Sequence, residues 1–199
     1  MPVAAARGTT CTRAALGAAT VMLFAVPGTA AAQTPLPVPL PSTPTISLPL
    51  SVPAVQPCAG AQRRSGERAR RLAIGCLVNR ARTSHGLRGF AWNRPLARAA
   101  SRHARDMSRR GYFAHQRAGG PSLGRRARAA GFRGRDVGEA IAYGCGSLST
   151  PASIVGAWLA SPGHRAILLS GRSRVGVGVA GRPPASCGGR GATYVLDAG

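Results

Sequence analysis

The chain contains no lysine and very few acidic residues. Its 199 residues include 27 basic side chains, all of them arginine, against 5 acidic ones, and the formal net charge is +22. An excess of this size opposes compaction through self-repulsion and draws a protein toward anionic surfaces. We attribute the missing lysine to a GC-rich genome. The charge therefore predicts anionic partners and does not indicate an activity.

Long hydrophobic runs are also missing. The longest, residues 14–26, has 13 almost wholly apolar residues, whereas a membrane-spanning helix needs roughly 18 to 20. Two arginines precede this run, and a Pro-Gly pair and the alanines 30–32 follow it. That order is typical of a secretory signal peptide. We therefore expect residues 1–32 to be cleaved, which leaves a secreted or cell-envelope protein without a transmembrane segment.

Residues 33–57 are rich in proline and carry no charged side chain. This composition, without helical or strand periodicity, predicts either an extended polyproline-like spacer or a disordered leader. The remaining residues, 58–199, are sufficient for one domain with a proper core, because 44% of the chain is hydrophobic.

The sequence has no CxxC pair, and Cys11 should leave with the signal peptide. The other cysteines, Cys58, Cys76, Cys145 and Cys187, form an even set in an exported chain, which favours two disulfides over free thiols or a metal cluster. Three pairings are open. We favour Cys58 with Cys76, which is local, and Cys145 with Cys187, which would join a strand end to a late loop.

Hydrophobic periodicity predicts a mixture of helices and strands. The predicted helices are 63–86, 93–111, 122–131, 150–160 and a further turn or two in 162–169. The predicted strands are 136–143, 174–180 and 192–197, of which the last two form an antiparallel hairpin.

The first helix should bury Ala69, Leu72, Ala73, Cys76 and Leu77 and expose most of its arginines. The second should bury Leu96, Ala99, Ala100, His103 and Met107. These elements predict an α+β domain.

Three polar residues outside the helix surfaces are candidates for a functional site: His115, Glu139 and His164. Glu139 shares a strand face with Ile141, so burial of that face would require its carboxylate to find a partner or take up a proton. His164 follows Ser-Pro-Gly at a predicted helix start, which is an exposed and rigid place for an imidazole. The three residues are 24 and 25 positions apart. We expect tertiary structure to bring them into one pocket open to solvent.

Several motifs occur in a set order: LVNRAR, LARAASRHARDMSRRGYFAH, GEAIA, WLASPGHRAILL and VGVGVA. Together they resemble the CAP superfamily, the cysteine-rich secretory, antigen five and pathogenesis-related group, in its bacterial SCP-like branch. The resemblance covers residues 72–199 and implies a three-layer α-β-α sandwich with a small antiparallel sheet and a wide cleft. The family's cleft carries two histidines and two glutamates, and the matching positions are His115, Glu139 and His164.

The chain also departs from the family's pattern. Ser161 stands at the position of the second glutamate, three residues after Trp158, so half of the carboxylate pair is missing. Ala140, Ile167 and Ala198 stand where an asparagine, a second asparagine and an aromatic residue are usual. These replacements remove polarity near the cleft.

Two imidazoles and one carboxylate with an open fourth position are the ligands of many loosely held or catalytic zinc sites. The resemblance thus implies a possible divalent metal on His115, Glu139 and His164, although the net positive charge opposes a bound cation. Glu139 is the candidate catalytic base of a zinc hydrolase acting on wall or extracellular peptide bonds.

The sequence favours a second hypothesis over the zinc hydrolase, namely a non-enzymatic binding module. Its cleft would be lined by His115, Glu139, Ser161 and His164. Its expected partners are anionic cell-envelope polymers or lipids, with a small apolar ligand as a further option. We do not expect specific nucleic-acid binding, because the chain is exported and lacks interleaved aromatic and basic residues. The oligomeric state does not follow from the sequence.

Overall fold

The structure is a computed structural model that describes residues 58–63, 66–187 and 189–199. The predicted signal peptide and proline-rich segment lie outside the described residues. The helices are α1 (Glu67–Ser84), α2 (Arg94–Arg110), α3 (Leu123–Ala129), α4 (Pro151–Ala160) and α5 (Pro162–Leu168). The strands are β1 (Ala91–Trp92), β2 (Gly138–Cys145), β3 (Arg174–Ala180) and β4 (Gly191–Ala198). No helix in these ranges is long and apolar enough to cross a membrane.

The described strands form one mixed sheet in the order β1-β3-β4-β2. Strand β4 pairs antiparallel with both β2 and β3, which confirms the predicted hairpin. Strand β1 pairs in parallel with β3, with Ala91 opposite Arg174. The predicted antiparallel sheet thus carries one short parallel strand at its edge. A strand of two residues is too short for alternation of side chains to reveal it.

The two faces of the sheet carry different helices. Because neighbouring residues of a strand point to opposite faces, Val175, Val177 and Val179 share one face of β3, while its two inner glycines share the other. The valines belong to a core with buried side chains of α1, α4 and α5, among them Ile74, Trp158 and Leu168. Helix α2 packs on the glycine face and contacts α3. The fold is thus the α-β-α sandwich that the resemblance implied.

Helix α2 lies directly against β3. A Cβ atom added to Gly176 would lie 2.0 Å from the backbone nitrogen of Ala97, and one added to Gly178 would lie 2.2 Å from the carbonyl carbon of Ala100. Neither position has room for a side chain, so glycine is required at both. This close contact fixes α2 on the sheet and thereby sets the position of His103, further along the same helix.

The buried face of α1 differs from the predicted one. Leu72 is 62% exposed, and the buried residues of the helix are Arg70, Ala73, Ile74, Val78 and Arg82. Of the five predicted apolar positions, only Ala73 is fully buried. The prediction failed because it assigned arginine to solvent, whereas two arginines of this helix find buried acceptors.

Arg82 shows how a guanidinium can be buried. It donates hydrogen bonds to the carbonyl oxygens of Arg88 at 2.8 Å, Leu168 at 2.7 Å and Ser170 at 2.9 Å. Its guanidinium carbon also lies 3.6 Å from the ring centroid of Phe90. These contacts replace the water that the charge loses, so Arg82 joins α1 to the segment between α5 and β3.

The disulfide prediction is confirmed. Cys58 bonds Cys76, with 5.8 Å between the Cα atoms, and Cys145 bonds Cys187, with 6.1 Å between them. The second bond joins the end of β2 to the loop before β4. Helix α2 is capped by Asn93, whose side chain accepts a hydrogen bond from the backbone nitrogen of Leu96.

Candidate functional site

Glu139 is the second residue of β2 and lies on the face of the sheet that α2 covers. Its side chain is 1% exposed, so the carboxylate is buried. We had expected it to lie in a pocket open to solvent. It accepts hydrogen bonds from Nδ1 of His115 at 2.8 Å and from Nη2 of Arg126 at 2.5 Å. Burial raises the pKa of Glu139, but the hydrogen bond from His115 and the charge of Arg126 outweigh burial and lower it.

Arg126, on α3, connects the carboxylate to the loop between α2 and α3. Its side chain is 10% exposed. While Nη2 pairs with Glu139, Nη1 donates to the carbonyl oxygens of His115 at 2.7 Å and Pro121 at 3.3 Å. The planar fork of arginine suits such multiple contacts. One guanidinium therefore neutralises Glu139 and holds the loop that carries His115.

His115 is the exposed member of this cluster, with 58% of its side chain accessible. The hydrogen bond to Glu139 raises its pKa, against the opposing effect of burial. Because Nδ1 is held by the carboxylate, Nε2 is the ring nitrogen left for a ligand. The pair thus presents an oriented imidazole at the surface, which can donate a hydrogen bond or exchange a proton.

His103 lies on α2 next to the same carboxylate and is 3% exposed. Its Nε2 atom is 3.1 Å from the carbonyl oxygen of Ala114 and 3.9 Å from Oε2 of Glu139. Burial lowers the pKa of His103 in spite of the negative charge of Glu139. The neutral ring therefore donates to Ala114 and supports the His115 loop from the helix side.

Asp197, on β4, lies opposite Glu139 in the strand register. It is 0% exposed, and neither of its carboxylate oxygens has a hydrogen-bond partner among the described residues. Burial, followed by the negative charge of Glu139, raises the pKa of Asp197 well above its ordinary value. The site therefore contains two buried carboxyl groups that cannot ionise independently.

His164 lies in the first turn of α5 and is partly buried. Burial, and then the positive charge of His115, lower its pKa. The two imidazoles are thus close enough to repel, although no hydrogen bond joins His164 to the cluster within the described ranges. Ser161 is the N-cap residue of α5, but its side chain makes no capping hydrogen bond.

The arrangement does not fit a divalent cation. Both oxygens of Glu139 are engaged, and the guanidinium of Arg126 places a permanent positive charge against the carboxylate. In the part of the chain that the structure describes, no three His, Cys, Asp or Glu side chains are arranged to hold a metal ion. The site therefore offers zinc no free oxygen of Glu139.

Sequence reasoning missed three residues of this cluster: His103, Arg126 and Asp197. His103 had a signal, because it was predicted on the buried face of a helix, where an imidazole needs a partner. Arg126 and Asp197 had none, since one is among many arginines and the other lies in a strand remote from Glu139 in sequence. Only the pairing of β2 with β4 brings the two carboxyl groups together.

Comparisons with known proteins agree with the fold. The sequence model of the cysteine-rich secretory protein family, CAP, matches residues 77–196. An extracellular protein containing an SCP domain from Bacillus anthracis str. Ames superposes with a TM-score of 0.57 at 28% identity, over 66% of this chain and 40% of that chain. This chain thus spans 40% of the length of the Bacillus protein. No curated protein matches the sequence.

A second solved structure supports the fold alone. An outer surface protein from Borrelia burgdorferi superposes with a TM-score of 0.52 at 17% identity, over 63% of this chain and 88% of that chain. The family match covers more than half of the chain and includes His115, Glu139 and His164, while Asp197 lies one residue beyond its end. The chain is therefore a bacterial member of the cysteine-rich secretory protein family, the CAP superfamily.

Proposed function

We propose that the protein is an exported binding module that attaches to anionic polymers of the cell envelope. Two disulfides support export, because such bonds persist in oxidising compartments. The Bacillus relative is described as extracellular and the Borrelia relative as an outer surface protein. The signal-like residues 1–32 agree with both.

The observation that carries this proposal is a groove of about 530 Å³ along α2, in which arginine predominates. The arginines that line it are Arg71, Arg94, Arg98, Arg102 and Arg105. None of the described residues lining the groove is acidic. Trp92, which is 47% exposed, adds an apolar surface to it.

A run of guanidinium groups in a groove with no acidic lining residue suits a linear polyanion. Each arginine fork can bind a phosphate or carboxylate through two hydrogen bonds. Successive arginines of α2 in this groove are three or four residues apart, close to one helical turn, which is about 4.5 to 6 Å along the axis. A phosphodiester polymer can therefore meet several of them in turn.

The second part of this proposal is that His115, His164 and Ser161 contact the ligand, while the buried Glu139 orients His115. His115 offers an oriented imidazole for a polar group of the ligand. Neither anionic lipids nor a small apolar ligand has a specific contact in its favour at this cleft. The zinc hydrolase has no supporting observation, since Arg126 occupies the carboxylate that would serve as ligand or base.

Cosedimentation with purified cell walls tests the proposal. We expect the double variant Arg94→Gln/Arg105→Gln to lose most binding to walls, and the wild-type protein to lose it when the walls are stripped of anionic polymers. Arg80→Gln/Arg165→Gln removes the same charge from the layer of α1 and α5 and should bind almost normally. Equal losses in both variants would mean that net charge, and not the groove, determines binding. Stronger binding to vesicles of anionic lipid than to walls would mean that the partner is a membrane and not a polymer.

A further inference from the structure

A separate cavity of about 320 Å³ lies between α2, α3 and the loop that joins them. Part of its lining is apolar, with Ala99 from α2, Ala129 from α3 and Pro121 from the loop. Neither His115 nor His164 lines it. Its volume is at the lower end of the range for small-molecule sites in proteins. The cavity therefore adjoins the Glu139 cluster through His103 and Arg126 and does not include the two candidate histidines.

The polar part of the lining carries an excess of positive charge. Arg102 and Arg125 line the cavity, and neither guanidinium has a hydrogen-bond or ion-pair partner among residues 58–63, 66–187 and 189–199. Arg126 also lines it, and the buried Nε atom of Arg126 has no acceptor there. A donor of this kind, buried beside a cavity, costs free energy until an acceptor arrives.

Asp106 is the single carboxylate among the residues that line this cavity. It already accepts hydrogen bonds from Nε of Arg110 at 2.8 Å and from the hydroxyl of Tyr112 at 2.5 Å. Burial raises the pKa of Asp106, but these two hydrogen bonds outweigh it and lower the pKa. The carboxylate is thus committed to its own neighbours and does not neutralise Arg102 or Arg125.

We propose that this cavity binds a small organic anion, a carboxylate or a phosphate monoester attached to an apolar body. The anionic group would be bound by Arg102 and Arg125 and would supply the acceptor that Nε of Arg126 lacks. The apolar body would contact Ala99, Ala129 and Pro121. Guanidinium groups bind both kinds of anion through paired hydrogen bonds. This site shares Arg102 with the polymer groove but takes a different ligand, and the inference does not rest on the proposed function.

Isothermal titration with benzoate, phenyl phosphate and the neutral benzamide tests the inference. We expect saturable 1:1 binding of at least one anion and none of benzamide. The preferred anion identifies the group that the site takes. Arg125→Gln should weaken binding by about tenfold or more, whereas Arg128→Gln, on the same helix but outside the cavity, should change it by less than about twofold.

Three results would overturn the inference: no saturable binding of either anion, equal binding of benzamide, or equal loss in Arg125→Gln and Arg128→Gln. The variant Arg94→Gln/Arg105→Gln separates this site from the proposed function. It should bind the small anion normally while losing affinity for cell walls, so failure of one proposal is distinguishable from failure of the other.

Discussion

The carboxyl groups of Glu139 and Asp197 lie opposite each other across the β2–β4 strand pair, both buried. Glu139 is compensated by His115 and Arg126, whereas Asp197 has no hydrogen-bond partner in the described ranges. Two like charges in such a place repel, so the pair is most stable with one proton. A protonated Asp197 can also donate a hydrogen bond from its hydroxyl group to Glu139.

The first prediction concerns stability and pH. The folded pKa of Asp197 is raised above its ordinary value of 3.8, so the folded state binds the proton more tightly than the unfolded chain. This contribution to stability is present below that ordinary value and is lost as pH rises toward the folded pKa. Asp197→Asn cannot ionise at this position, so it should not lose stability in this way and should be more stable than wild type at pH 7. Urea unfolding at a series of pH values measures the difference.

The difference between Asp197→Asn and wild type should grow with pH by at most about 1.4 kcal/mol per pH unit. Asp136→Asn is the control, because the side chain of Asp136 is 73% exposed. An identical pH profile for Asp197→Asn and wild type would show that Asp197 is ionised in the folded protein.

The second prediction concerns the ion pair of Arg126 with Glu139. Arg126→Met leaves a buried carboxylate with one partner fewer, and should lower the free energy of unfolding by about 3–5 kcal/mol. Adding Glu139→Gln should recover part of that loss, because the uncompensated charge is gone. Arg128→Met is the matched control on α3. Chemical denaturation compares five proteins: wild type, Arg126→Met, Glu139→Gln, the double variant and Arg128→Met. Strict additivity of Arg126→Met and Glu139→Gln would contradict the ion pair.

The third prediction concerns the histidines of the site. By NMR titration, the pKa of His115 should lie above the ordinary value of 6.5 because of its hydrogen bond to Glu139. The pKa of His164 should lie below 6.5 because of burial and the charge of His115. Glu139→Gln should lower the pKa of His115, and His115→Ala should raise that of His164. Unshifted pKa values in these variants would mean that the three residues do not form one cluster in solution.

The fourth prediction concerns the contact of α2 with β3. Gly178→Ala places a Cβ atom 2.2 Å from the backbone of Ala100, so α2 must move and stability should fall by about 1–3 kcal/mol or more. Gly156→Ala, in α4 with nothing within 4 Å of the added atom, should instead stabilise by about 0.5–1 kcal/mol. Thermal unfolding compares the two. Similar values for both would contradict the close packing.

Most of the fold could be predicted from the sequence because its elements have strong local signals. Asn93, Thr150 and the glycines after α1 and α2 mark helix ends, and alternation marks β3 and β4. The buried face of α1 could not be predicted, because the sequence around Arg82 does not show which carbonyl oxygens will accept its hydrogen bonds. At the site, Glu139 and His115 were predictable from residue type. Asp197 was not, because strand register alone places it beside Glu139.

The salt dependence of binding to poly(glycerol phosphate) tests the central claim, that arginines of the α2 groove bind an anionic envelope polymer. Each phosphate contact releases about one counterion, so the logarithm of affinity falls linearly with the logarithm of salt concentration. For Arg94→Gln/Arg105→Gln this slope should be shallower than wild type by roughly two, one for each lost contact. Arg80→Gln/Arg165→Gln should keep the wild-type slope. An unchanged slope in the groove variant, or the same change in both variants, would contradict the account.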